Sequence, residues 1–267
     1  PIAVQVGGSE IDDLKKCAKI AKQYNYNEIN LNVGCPSKAV QKGSFGACLM
    51  QQKTLVRNCV EAMLDSASIE VSIKCRIGIG NKFDYDFFYD FINELSSTGI
   101  KIIYVHARNA ILSGFSPKKN RTVPPLNYNF VQNIKKDFPK INFILNGGIN
   151  SIQEAYSLSD IYDGVMVGRL VQNNPFCLLN VDEKFYKMKK TNAMYEKIIL
   201  EYFEYIKKKL KNDSIFRLLS PLLKIFFGVP NSKYFRNKIH EIIKSNEIDL
   251  LESLFLEFVE KKINKIN

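Results

Sequence analysis

The stretch "EINLNVGCPSKAVQKGSFGACLM" (28–50) begins as a strand and ends as a helix, with Cys35 between Gly34 and Pro36 at the junction. Cysteine normally packs as a small buried hydrophobe. Here its neighbours are Lys, Gln, Ser and Gly, the composition of a loop, so the thiol stands where a strand opens onto the surface. It reads either as a working thiol or as a small residue closing a strand before a Pro turn. Two further residues are unusual for their settings: Lys74 in "VSIKC" and His106 in "IIYVHA" each end an apolar run. An ammonium in an apolar strand is costly unless it finds a partner, either a neighbouring carboxylate or a bound anion or electron-rich cofactor edge. His106 reads equally as a satisfied core histidine. Gln5, also at a strand end, offers an amide to a heterocycle. "NGG" (146–148) and "GR" (168–169) complete the set, because glycine lets backbone approach a ligand and arginine clamps an anion.

The elements that position these residues are short Ile- and Val-rich runs at 2–6, 28–33, 71–75, 102–107, 142–146 and 164–168. They look apolar throughout, as strands buried on both faces should be. Amphipathic segments lie between them. One places Ile11, Leu14, Ala18 and Ala21 on a single face, and another does so with Phe130, Ile134 and Phe138. Strands alternating with helices predict a parallel α/β sheet. The spacing matches a (β/α)8 TIM barrel, in which chemistry gathers at the C-terminal ends of the strands and phosphate binds after the last two. An open doubly wound sheet is the alternative, but it would gather its ligand at one switch point. Only six strands are visible, so a barrel would lack its first two strands in this chain, which opens at Pro1 with no signal-peptide pattern. The expected organisation is an N-terminally incomplete barrel over 1–180, a linker over 181–193 and an all-helical domain over 194–267.

The 267 residues carry 38 Lys and Arg against 27 Asp and Glu, a net charge of +11 that favours a polyanionic partner. Lys207, Lys208, Lys209 and Lys211 crowd one helix end and read as a solvated charged face. Six scattered cysteines without a C-x-x-C pair, and only two histidines, give no zinc pattern. Such thiols suit a reduced, intracellular protein. With no long apolar run, no membrane span is expected.

Taken together, "AVQVGGSE", "EINLNVGCPSKAVQKGSFGACLM", "SIKCRIGI", "VHARNAILSGFSPKKNRTVPPL", "NGGI" and "DGVMVGR" resemble the tRNA-dihydrouridine synthases, and within them the A-type subfamily. The resemblance runs from residue 1 to about 240. "NVGCPS" with the run after it is specific, whereas "NGG" and "VGR" occur in many flavin barrels. The resemblance implies a flavin barrel with a helical tRNA-binding domain, using FMN and NADPH to reduce D-loop uridines around position 20. Carried over by motif, Gln5, Lys74 and His106 line the flavin ring, while Asn146, Gly147, Gly148, Gly168 and Arg169 hold its phosphate and ribityl chain. Cys35 matches the proton donor, Asn32 the tRNA-facing edge, and Lys118 with Arg121 the tRNA-contacting pair. Lys233 and Arg236 match basic contacts from the helical domain. The chain departs from the family in lacking its opening Pro-Met strand, and in carrying Cys75, without an assigned role, where histidine is common.

This chemistry gives Cys35 its reason. Uracil reduction needs hydride at C6 and a proton at C5, and a thiol with an ordinary pKa of about 8.5 is largely protonated near neutrality and suits general acid work. Cys48, in "SFGACLM", reads as a helix-core residue instead. A uridine within folded tRNA must be flipped out to reach such a site, with recognition resting on shape and phosphates. The remaining readings are a flavin dehydrogenase of a free pyrimidine and a non-catalytic RNA-binding relative. A monomer of the cytoplasm or an organellar stroma or matrix, binding no metal, is expected.

Overall fold

Strands such as Glu-Ile-Asn-Leu-Asn and Val-Ser-Ile-Lys-Cys-Arg alternate strictly between apolar and polar residues, so their two faces differ in kind. In the computed structural model, which describes residues 1–188, 195–226, 232–245 and 247–263, this alternation organises the sheet. The strands are β1 (Ala3–Val6), β2 (Glu28–Asn32), β3 (Glu70–Arg76), β4 (Ile102–His106), β5 (Asn142–Asn146) and β6 (Gly164–Met166). All pair in parallel, in the order β1-β2-β3-β4-β5-β6. Chain order equals spatial order, so the winding never reverses. That is how a barrel wall is wound and differs from the switch point of a doubly wound sheet.

Register lines up the two faces. Ile29, Leu31, Val71, Ile73, Cys75, Ile103, Val105, Phe143 and Leu145 share the apolar face, and all are fully buried. The helices that cover them are α1 (Ile11–Gln23), α3 (Lys53–Ser66), α4 (Tyr85–Ser96) and α5 (Tyr128–Asp137), with Leu14, Ala18, Val60, Phe88, Phe91 and Ile134 in the same core. Between β2 and α3 lie a short helix, α2 (Lys38–Lys42), and a 3-10 turn over Gly46–Gln51. Caps set several helix starts. Asp84 accepts from Phe87 N at 2.9 Å, and Ser37 accepts from Val40 N at 3.3 Å.

The opposite face carries Gln5, Glu28, Asn30, Asn32, Ser72, Lys74, Arg76, Tyr104, His106 and Asn146. This corrects the expectation of strands apolar on both sides. Burial there is achieved by mutual hydrogen bonding of polar groups, rather than by apolar packing. Cys75 falls on the apolar face, where complete burial pushes its thiol up to about 12. Its place in the core is that of a small hydrophobe. Cys48 sits half-buried within the 3-10 turn, with its thiol donating to Phe45 O at 3.1 Å, instead of filling a helix core.

The chain divides into two compact units, one of 1–149 with 153–167 and one of 150–152 with 168–267. The helix α6 (Ile152–Ser159) has all but its first residue in the first unit. No strand occurs among the described residues of the second unit, which contains α7 (Arg169–Asn173), α8 (Val181–Tyr186), α9 (Tyr195–Lys209), α10 (Ile215–Leu219), α11 (Ser232–Ser245) and α12 (Ile248–Ile263). Ile199, Phe203 and Ile206 of α9 repeat at helical spacing and meet Leu251, Phe255 and Phe258 of α12 and Phe235 and Ile239 of α11. Lys207, one of the four crowded lysines, binds Glu252 at 2.9 Å and Asp249 at 3.1 Å, so it ties α9 to α12. Part of the expected linker is α8, and residues 189–194 lie outside the described residues.

Phe143 fills the centre of the apolar layer on β5. Phe143→Ala is expected to destabilise the first unit by about 3–5 kcal/mol, read from urea denaturation followed by far-UV circular dichroism with an unchanged m-value.

Candidate active site

Asn32, the last residue of β2, shapes the loop that carries the thiol. Its Oδ1 accepts from the backbone N–H of Gly34 at 3.1 Å and of Cys35 at 3.0 Å. Asn and Asp favour this local turn because the side chain imitates a backbone carbonyl. Arg76, at the end of β3, holds the same loop from below, with Nε donating to Gly34 O at 2.9 Å. A Cβ on Gly34 would stand 3.2 Å from Lys74 O, so the loop lies flat against β3. The Cys35 carbonyl accepts from Ala47 N at 2.9 Å. Gly46 is needed for that approach, since its φ is +76° and a Cβ would stand 2.6 Å from Cys35 O. Fixed on these sides, Cys35 is half-buried, with Sγ 3.6 Å from Ser37 Oγ.

Gln5 and Asn32 join across the sheet, Asn32 Nδ2 donating to Gln5 Oε1 at 3.3 Å. Lys74 Nζ donates to Asn146 Oδ1 at 3.1 Å, and Asn146 Nδ2 donates to Met166 O at 2.8 Å. The Met166 carbonyl thereby sets which end of the Asn146 amide faces the ammonium. Lys74 makes no ion pair among the described residues, so the neighbouring carboxylate considered for it is replaced by a neutral amide. Burial first, and the Arg76 charge second, lower its pKa to about 8. Arg76 is 3% exposed. Its pKa falls to about 10 through burial, and the charges of Arg108 and Arg121 push the same way while Cys35 opposes them. Cys35, Lys74, Arg76, Arg108 and Arg121 therefore share one electrostatic neighbourhood.

His106 is buried at the end of β4. The glycines after Asn146 adapt to it. Gly147 has φ +114° and a Cβ there would lie 2.6 Å from the His106 ring, and Gly148 has φ +76° with Leu126 at 2.5 Å from the same imagined atom. Tyr128 OH donates to Gly147 O at 2.6 Å. The "NGG" turn is thus packed tightly by His106, Leu126 and Tyr128.

The segment with Lys118 and Arg121 is anchored by the fully buried Asn120 between them. Asn120 Oδ1 accepts from Ile111 N at 2.8 Å and Nδ2 donates to Ile111 O at 2.9 Å. Its backbone carbonyl accepts from Arg76 Nη1 at 3.0 Å. With the amide turned inward, Lys118 and Arg121 are both exposed. Gln41 Nε2 donates to Pro36 O and to Leu112 O, each at 2.9 Å, joining this segment to the cysteine loop.

The first unit therefore brings together Gln5, Asn32, Cys35, Lys74, His106, Asn146, Gly147, Gly148, Lys118 and Arg121. Gly168 and Arg169 belong to the second unit, at the start of α7, and Lys233 and Arg236 are exposed on α11 there. Sequence reasoning missed Arg76, Asn120 and Gln41. Arg76 had a signal, because it lies two residues beyond Lys74 and so on the same face of β3.

Lys74 gives a pH signature. Its folded pKa of about 8 lies below the ordinary 10.5, so between these values the unfolded chain holds the proton that the folded chain has released, and stability rises with pH. The stability difference between wild type and Lys74→Met is expected to shift in favour of wild type as pH rises from about 8 to 10, measured by urea denaturation at each pH. A difference constant across that range would contradict the buried-ammonium assignment.

Comparison with known proteins identifies the family. The family profile described as "Dihydrouridine synthase (Dus)" matches residues 1–264. The tRNA-dihydrouridine(20/20a) synthase of Escherichia coli (strain K12) is 43% identical over 243 residues, covering 90% of this chain and 70% of that protein. The protein of the same name from Salmonella typhi is 43% identical, with 90% and 73% covered, and that from Vibrio vulnificus (strain CMCP6) is 40% identical, with 90% and 74% covered. The chain belongs to the dihydrouridine synthase family.

Proposed function

We propose that this chain is an A-type tRNA-dihydrouridine synthase, reducing the uracil 5,6 double bond of D-loop uridines at or beside position 20 with FMN as bound redox group and NADPH as reductant. The observation that carries this reading is the Cys35 thiol, held half-buried by Asn32 and Arg76 beside Lys74. Family membership and relatives named for positions 20 and 20a supply the reaction and the substrate.

The donor set fits a flavin. Lys74 spends one hydrogen bond on a neutral amide and none on a carboxylate among the described residues, which leaves ammonium protons for an electron-rich or anionic ring edge. Gln5 and His106 would line that ring with it. Asn146, Gly147 and Gly148 would hold its ribityl-phosphate arm, and Gly168 and Arg169 keep the same assignment on their motif alone. When bound, reduced FMN would supply the hydride for uracil C6, with NADPH as its source.

The remaining work falls to the protein. Hydride at C6 leaves enolate-like charge toward C5 and O4 of the uracil, and the Cys35 thiol gives its proton to C5, so the base gains two hydrogens. Asn32 holds the sulfur at a fixed place, and the nearby cations favour the developing negative charge. Lys118 and Arg121 would grip the tRNA backbone while the uridine is everted. Lys233 and Arg236 would add contacts from the helical unit, proposed as the tRNA-binding domain.

Visible absorption tests the whole reading. A flavin band bleached by NADPH and restored by tRNA, but not by free uridine, is expected, and a band that tRNA leaves bleached would overturn it. Cys35→Ala is expected to slow reoxidation by tRNA about 10²–10⁴-fold with flavin binding retained, and equal single-turnover rates would remove the proton-donor role. Lys118→Ala and Arg121→Ala are each expected to weaken tRNA binding and lower its log-log salt slope by about one, read by filter binding across a salt titration.

A further inference from the structure

The polar face of the sheet contains a continuous line of hydrogen bonds that the reaction does not by itself require. It starts at the cysteine loop and draws on four strands, β1 to β4. Asn32 Nδ2 donates to Gln5 Oε1 at 3.3 Å, and Gln5 Nε2 donates to Asn30 Oδ1 at 2.7 Å. Asn30 Nδ2 donates to Ser72 Oγ at 2.7 Å. Ser72 then donates to Glu28 Oε1, while Tyr104 OH donates to Glu28 Oε2 at 3.1 Å. Asn30 and Ser72 are buried, so water is a poor substitute for any of these partners.

The direction of this line is set consistently from its two ends, since the Gly34 and Cys35 backbone N–H groups can only donate. Side-chain amides can face either way, and a hydroxyl can donate or accept, but an ionised carboxylate only accepts. With Glu28 at the end, Ser72 must donate to it and therefore accepts from Asn30. Asn30 then presents Oδ1 to Gln5, Gln5 presents Oε1 to Asn32, and Asn32 is left with Oδ1 turned toward Gly34 N and Cys35 N. Run in reverse, the line would set an Asn32 amide nitrogen against two backbone N–H groups, and the loop would lose both of its bonds to Asn32.

We propose that Glu28 is a positioning residue for Cys35: as the acceptor that ends this chain, it reinforces the Asn32 amide orientation that the Gly34 and Cys35 N–H groups require, and through it steadies the loop that carries the thiol. Glu28 acts at a distance and touches neither sulfur nor substrate. The catalytic part of this inference rests on the function proposed above, whereas the positional part concerns the loop alone.

A double-mutant cycle separates this role from general support of the sheet. Iodoacetamide labelling of Cys35 in the full chain, followed by mass spectrometry of its peptide, reports the loop without any flavin or tRNA. Glu28→Gln keeps the shape and removes the acceptor-only end. It is expected to raise the labelling rate several-fold in the wild-type background and by less than about twofold in an Asn32→Ala background, since coupled residues are non-additive. The same factor in both backgrounds, or no change in either, would overturn the proposal. Should Glu28→Gln fail to fold, Glu28→Asp, which keeps the charge and shortens the reach, is read in the same cycle with the same expectation. In turnover, Glu28→Gln is expected to lower kcat for tRNA severalfold with KM held. If wild type reduces no tRNA uridine, the functional reading fails while the labelling cycle still decides the positional one.

Discussion

A parallel sheet that gathers its polar residues on one face must satisfy those groups by hydrogen bonding. Here the apolar face takes the helices, so the other face has to pair its own amides, hydroxyls and charges or leave them unsatisfied at a cost of about 1–3 kcal/mol each. Asn30, Ser72, Arg76 and His106 are all buried there. The consequence is a rigid polar floor, in which each side chain's orientation depends on its neighbour's. The geometry of the thiol loop follows from that floor, because Asn32 and Arg76 belong to both.

That arrangement explains how a thiol can stand at a rim without becoming mobile. Its loop is tied to β2 by Asn32, to β3 by Arg76, and to the 3-10 turn by the Cys35 carbonyl. Arg76 also binds the carbonyls of Asn109 and Asn120, each at 3.0 Å. One buried guanidinium thus reaches the loop with the proposed acid and the segment with the proposed RNA contacts. Removing it would leave three carbonyls without their donor, a larger loss than any single bond.

Most of the fold was legible in the sequence, since six Ile- and Val-rich runs match six strands to within two residues at each end. The amphipathic face of α1 was legible too, with Leu14, Ala18 and Ala21 buried as spaced. What escaped was the parity of the strands. In "EINLNV" the apolar residues drew attention, while Glu28, Asn30 and Asn32 form the second face. Residues of the site at or near strand ends, such as Gln5, Lys74, His106 and Asn146, were legible because a polar side chain in an apolar run needs a reason. Gln41 and Asn120 were not, because their partners are backbone carbonyls and amides up to 71 residues away that no local pattern announces. Charge was only partly informative, as Lys207 is occupied by Asp249 and Glu252 inside the helical unit.

Gln41 has one more consequence. A single amide nitrogen divides its two protons between Pro36 O, next to the thiol, and Leu112 O, at the approach to Lys118 and Arg121. Neither segment can shift by an ångström or two without stretching a bond that the other shares. Tension applied to the segment of the proposed tRNA contacts would be felt beside the sulfur, by way of one glutamine.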